Sequence, residues 1–93
     1  MIDNMKGNKK IEHAIKQGEH PGVIFAKFYF DEAEGLLITA DKLLWNHQFL
    51  TLFMRGEVPV TDWMSEDLAR EFDTTERFWM NMQEIHDKKE TTK

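Results

Sequence analysis

The side chains of this sequence that could carry chemistry are candidates for a metal, candidates for catalysis, or a third set suited to recognition. His13, His20, His47 and His86 are scattered. No two of them have the i, i+4 spacing by which one helix face offers two imidazoles to a metal. Ser65, the only serine, stands before Glu66 and Asp67, whose negative charges raise a nucleophile's pKa instead of lowering it. There is no cysteine and no glycine-rich phosphate loop. Carboxylate pairs such as Glu32/Glu34 and Glu66/Asp67 read as solvated acidic faces. Neither catalysis nor a metal or other cofactor is expected. The third group suits recognition of nucleic acid. Gln48 can pair with an adenine edge and Thr51 with a base, while Arg55, His47 and Lys42 can meet phosphates. The plain alternatives are a solvated polar face for Gln48 and Thr51 and a surface salt bridge for Arg55. Phe49 and Leu52 are interleaved with these residues. If Leu50 and Phe53 face a core, Phe49 and Leu52 lie partly off it. An exposed apolar pair there would mark a protein contact, burial being the alternative.

These positions need helices to hold them. His20-Pro21-Gly22 opens the body, with Pro suited to a first helical turn. The run 23–30 (VIFAKFYF) resembles a strand by propensity. However, no second such run offers a partner, and Ile24/Phe28 and Phe25/Tyr29 are i, i+4 pairs, so a helix ending near Gly35 is expected. A short helix is expected over residues 38–44. Asn46 can cap the next, over 47–55, which Gly56 stops. Thr61 can cap a fourth helix through Phe72, with Met64, Leu68 and Phe72 on one face. Asp73 or Thr74 can cap a fifth, lined by Phe78, Met82 and Ile85. Phe78 and Trp79 would pack this helix onto the body or across a dimer axis. Ahead of the body, Ile11, Ala14 and Ile15 allow a short helix over 8–17, ended by Gly18, the alternative being a disordered arm. The expected organisation is an N-terminal arm (1–19), a helical domain (20–86) and a solvated tail (87–93). The two short central helices and their tight turn have helix-turn-helix spacing.

Ninety-three residues make one domain. An apolar fraction of 41%, with three Trp, seven Phe and six Met, can fill a small dense core. The N-terminus has no signal-peptide pattern and no stretch suits a membrane span, so a cytoplasmic protein is expected. Net charge is −5. Between Thr39 and Thr75, Lys42, Arg55 and Arg70 stand against Asp41, Glu57, Asp62, Glu66, Asp67, Glu71 and Asp73. Specific DNA binding draws on about six to ten neutralised phosphates, which these helices cannot supply alone. Lys6, Lys9, Lys10 and Lys16 could add contacts if the arm folds back.

Two segments resemble the HigA/VapI-type antitoxins, a branch of the Xre helix-turn-helix regulators. His20-Pro21-Gly22-Val23-Ile24 is similar to the family's HPGEIL-like start. The run Phe72-Asp73-Thr74-Thr75-Glu76-Arg77-Phe78-Trp79-Met80-Asn81-Met82-Gln83 is similar to its closing pattern, and the two are as far apart here as in the family. Between them Ala40, Leu43, Leu50 and Phe53 match core positions, Arg55-Gly56-Glu57 a short loop, and Val60-Thr61 the entry to the fourth helix. The resemblance covers residues 20–83. It implies an all-α, lambda-repressor-like fold: a compact five-helix bundle with a central helix-turn-helix. It also implies a homodimer that binds operator DNA through the second helix of the pair and neutralises a RelE/HigB-type toxin. The reading helix departs from the pattern. Leu44 replaces the usual turn glycine, Leu52 stands where Arg is frequent, and residues 46–55 are more apolar than the family's. The alternative is a degenerate helix-turn-helix protein of a phage or mobile element. Its acidic, DNA-mimicking face would bind a protein, for example to inhibit a host defence complex.

Overall fold

Residues 2–91 are described in the computed structural model, with side chains from Lys9 onward. They form α1 (Ile2–Lys16), α2 (Pro21–Phe28), α3 (Leu36–Leu43), α4 (His47–Met54), α5 (Asp62–Phe72) and α6 (Glu76–Thr91), with no strand among the described residues. The fold is therefore all-helical as expected, but with six helices in place of five. The difference lies in the arm. Its helix spans 15 residues, because Ala14 and the half-buried Ile15 give it an apolar stripe to lay against α2 and α6. Gly18 ends it at φ 78°. Lys6 lies outside the residues whose side chains are described.

Helix α2 starts where its sequence dictates. The His20 Nδ1 accepts the Gly22 N–H at 2.8 Å, and Pro21 needs no donor partner in the first turn. It ends at Phe28, short of the expected Gly35. The Tyr29 and Phe30 N–H groups both donate back to the Phe25 carbonyl, and Asp31 then accepts from the Ala33 N–H in a side-chain-closed turn. With the helix stopped early, α3 begins at Leu36 instead of residue 38.

The α3–α4 connection is three residues long, Leu44-Trp45-Asn46. Leu44 closes α3 in the left-handed region at φ 62°, and the Trp45 N–H donates to the Ala40 carbonyl at 2.9 Å, a Schellman-type stop. Asn46 caps α4 as expected, its side chain accepting from Gln48 and Phe49 N–H. Thr61 precedes α5 without a side-chain cap.

The cap of α6 is Thr75, whose hydroxyl accepts the Phe78 N–H at 3.0 Å. It is neither Asp73 nor Thr74. Asp73 is taken up as the left-handed end of α5, at φ 55°. The Thr74 hydroxyl accepts the Trp79 indole N–H at 2.7 Å. The buried stripe of α6 is Trp79, Met82 and Gln83; of the expected Phe78/Met82/Ile85 face Met82 is buried while Phe78 and Ile85 are half-buried, because the Trp79 indole fills the centre. Trp79 is 0% exposed and its ring meets Phe25, Tyr29 and Phe78. The helix continues to Thr91, so residues 87–91 of the expected tail are helical and exposed. A radius of gyration of 12.9 Å matches the roughly 12 Å of a single compact unit.

Candidate binding face on α3, α4 and α5

Helix α4 buries Leu50 and Phe53 against α2 and α3. Helical geometry then turns His47, Gln48, Leu52 and Arg55 to solvent, with Thr51 half-buried at their centre. The residues expected to read DNA thus share one face. Lys42 does not join them from α3. Its ammonium is held by Glu34 at 2.6 Å, and that hydrogen bond raises the lysine pKa. Arg55 is likewise engaged by Glu57 at 2.9 Å. Arg70 is held by Asp67 and Glu71, each at 3.0 Å. Every cation between Thr39 and Thr75 therefore has a carboxylate against it. Such exposed pairs are weak and a phosphate can compete for them. The released carboxylates, though, would stay beside the phosphate, together with those of Asp41, Asp62 and Glu66, which have no hydrogen-bond or ion-pair partner among the described residues. Thr51 donates its hydroxyl proton to the His47 carbonyl of its own helix at 3.0 Å. The lysines of the arm bring no help to this face: α1 packs on α2 and α6 and touches none of α3, α4 and α5 among the described residues.

The apolar residues of this region are the ones reasoning from sequence largely missed. Leu37, Ile38, Leu44, Leu52 and Trp63 are exposed, Leu44 to 85% and Trp63 to 50%. Leu37 and Asp41 follow one stripe of α3 by helical spacing, and Leu44 stands just beyond its end. Trp63 was legible in principle, since it falls off the Met64/Leu68/Phe72 stripe that faces the core. Phe49, expected at the edge of the core, is half-buried in an aromatic cluster, 5.5 Å from Trp45 and 5.5 Å from Trp63 between ring centroids.

The two family-like segments do structural work away from this face. Gly22 lies so close to α4 that an added Cβ would overlap the Phe53 carbonyl oxygen, so the third residue of the His-Pro-Gly start sets how closely α2 and α4 approach. The Gln83 side chain accepts the Val60 N–H at 2.8 Å and donates to Asp87 at 2.9 Å, tying α6 to the loop before α5. His86 Nδ1 meets the Gly18 carbonyl at 2.8 Å, fastening α6 to the end of α1. Trp79, considered for a partner or dimer contact, is enclosed by the chain's own core and is not a surface residue. Phe78 stays half-buried. Asn81 is exposed, and nothing in the structure explains its place in the closing segment.

No family model, no curated protein and no solved structure matches the chain. No helix among the described residues is long and apolar enough to cross a membrane.

Proposed function

We propose that the chain is a helix-turn-helix-type binding protein whose α3–α4–α5 face docks a protein. The observation that carries this reading is the makeup of the face. Its three cations are held by carboxylates, the carboxylates of Asp41, Asp62 and Glu66 are unpaired among the described residues, and Leu37, Ile38, Leu44, Leu52 and Trp63 stand exposed among its polar side chains. Duplex DNA needs several neutralised phosphates, whereas protein interfaces concentrate aromatic anchors and apolar area within a polar rim. An acidic helical face of this kind suits an inhibitor of a nucleic-acid-binding protein, such as a phage or mobile-element protein aimed at a defence complex.

A second reading keeps the resemblance whole: a dimeric, antitoxin-like regulator that binds operator DNA through α4 and a RelE/HigB-type toxin elsewhere. It is favoured by the three-residue α3–α4 connection and by the shared exposure of His47, Gln48 and Arg55. Fluorescence anisotropy separates the two. A labelled duplex from the region upstream of this gene is titrated at two salt concentrations beside a scrambled duplex. The expected result is no sequence-dependent binding. Tight binding to the upstream duplex alone, weakening steeply with salt, would overturn the protein-docking reading and make Gln48, Thr51 and Arg55 the next substitutions.

A further inference from the structure

Resting on the reading that this face docks a protein, we infer that its anchor is the aromatic cluster of Trp45, Phe49 and Trp63 and that the partner inserts arginine there. The cluster is built before any partner arrives. The Trp45 indole N–H donates to Asp67 at 2.9 Å, which fixes the ring. Trp63 packs edge-on to it at 5.7 Å and lies tilted by 30° beside Phe49 at 5.5 Å. Rings already held in place lose little freedom on binding. Trp63, half exposed, is the outer wall. Asp62 precedes it on α5 and Glu66 follows one turn on. Both are exposed, and their carboxylates have no hydrogen-bond or ion-pair partner among the described residues.

An aromatic face flanked by free carboxylates selects for one side chain above others. A guanidinium stacks on an indole and donates paired hydrogen bonds to a carboxylate in one pose, whereas an ammonium is a compact, strongly hydrated point charge. The same carboxylates disfavour the other occupants. A duplex would set phosphates against Asp62 and Glu66. A second copy meeting this patch about a two-fold axis would bring the carboxylates of both chains together. The partner is therefore an arginine-bearing protein segment, of the kind that otherwise grips phosphates.

The test titrates the full chain into fluorescein-labelled nona-arginine and nona-lysine peptides, with anisotropy as the readout. Nona-arginine is expected to bind at least about fivefold more tightly than nona-lysine. Trp63→Ala is expected to abolish that preference. The near-isosteric, exposed changes Asp62→Asn and Glu66→Gln are expected to weaken both peptides. These two keep the test decisive should Trp63→Ala fail to fold by circular dichroism. Equal affinity for the two peptides, or a preference that survives Trp63→Ala, would reduce the effect to net charge and sink the inference. So would a dimer in sedimentation equilibrium that Trp63→Ala dissociates. If neither peptide binds and the upstream duplex does not either, the arginine inference falls and protein docking stands. If the duplex binds, both fall.

Discussion

The α2–α6 side of this molecule and its α3–α5 face are built on opposite principles. On the first, polar groups are spent on holding helices together. His20 caps α2, Gln83 clamps the loop before α5, Trp79 bonds to Thr74, and His86 meets Gly18. On the second, the Trp45–Asp67 hydrogen bond apart, polar side chains pair at the surface at little energetic gain, apolar side chains stand in water, and Leu44 holds a left-handed backbone that favours glycine. The side with the segments 20–24 and 72–83 is thus a scaffold, and the proposed docking face lies apart from them. The two longest antitoxin-like stretches lie in this scaffold, while of the shorter matches Arg55-Gly56-Glu57 reaches the proposed face.

The largest expected effect tests the scaffold. Gly22→Ala forces a methyl group into the Phe53 carbonyl. Because the obstacle is backbone, the cost should reach the upper end of overpacking, roughly 3 kcal/mol, read as a lower midpoint in urea unfolding. A midpoint within error of the parent would mean that α2 and α4 do not approach this closely. Gln83→Ala comes next. It leaves the buried Val60 N–H without its acceptor, which should destabilise by about 2 kcal/mol. Faster hydrogen exchange at the Val60 amide would show the loosened loop directly.

Leu44→Gly has the opposite sign. Removing the side chain from a left-handed residue should stabilise the fold by about 0.5–1 kcal/mol. If the face is a docking surface that includes Leu44, the same variant should bind its partner less well, and a thermal melt beside a binding titration would expose the trade. A stabilised variant with undiminished partner affinity would remove Leu44 from the surface.

The smallest effect is a pH dependence at the seam between α2 and α6. Burial, then the neighbouring His86, lowers the pKa of His20, against weaker opposing effects from the Val58 backbone and Asp87. Its Nδ1 must stay unprotonated to accept the Gly22 N–H. The unfolded chain, with an ordinary value of 6.5, therefore takes up the proton before the folded one. Stability from this group is whole above pH 6.5 and is lost as pH falls from there through the lower folded value. His20→Asn keeps a capping acceptor and should flatten this part of the stability profile. A profile unchanged by that substitution would show that His20 does not titrate with folding.

Much of the architecture was legible from short-range chemistry. Asn46 before an apolar-periodic run, Pro21 in a first turn, and Ala14 and Ile15 on one stripe act through neighbours within a turn or two, so their consequences could be read along the chain. The run 23–30 could be assigned to a helix for the same reason. Its end could not, because Phe25 accepts two backbone donors only once Asp31 has folded the turn behind it. The sequence offers Asp73 and Thr74 as caps, yet Thr75 is as good an acceptor, and Asp73 goes to the left-handed end of α5. The buried Trp79 indole claimed Thr74 and left Thr75 to α6.

For the candidate site the division is sharper. The order of residues 47–55 was enough to put His47, Gln48 and Arg55 on one side of a helix, since that follows from 3.6 residues per turn. The Arg55–Glu57 pair, two residues apart, was within reach of the sequence, but the longer-range pairings were not. Glu34 reaches Lys42 across the loop before α3, and Asp67 meets Trp45 from another helix. The first closes within one turn and the helix that follows it, whereas the second depends on where α5 lies relative to the α3–α4 connection. Local patterning determined which side chains are offered to solvent, and the packing of α3 against α4 and α5 alone decided which aromatic rings meet there and which carboxylates remain unpaired.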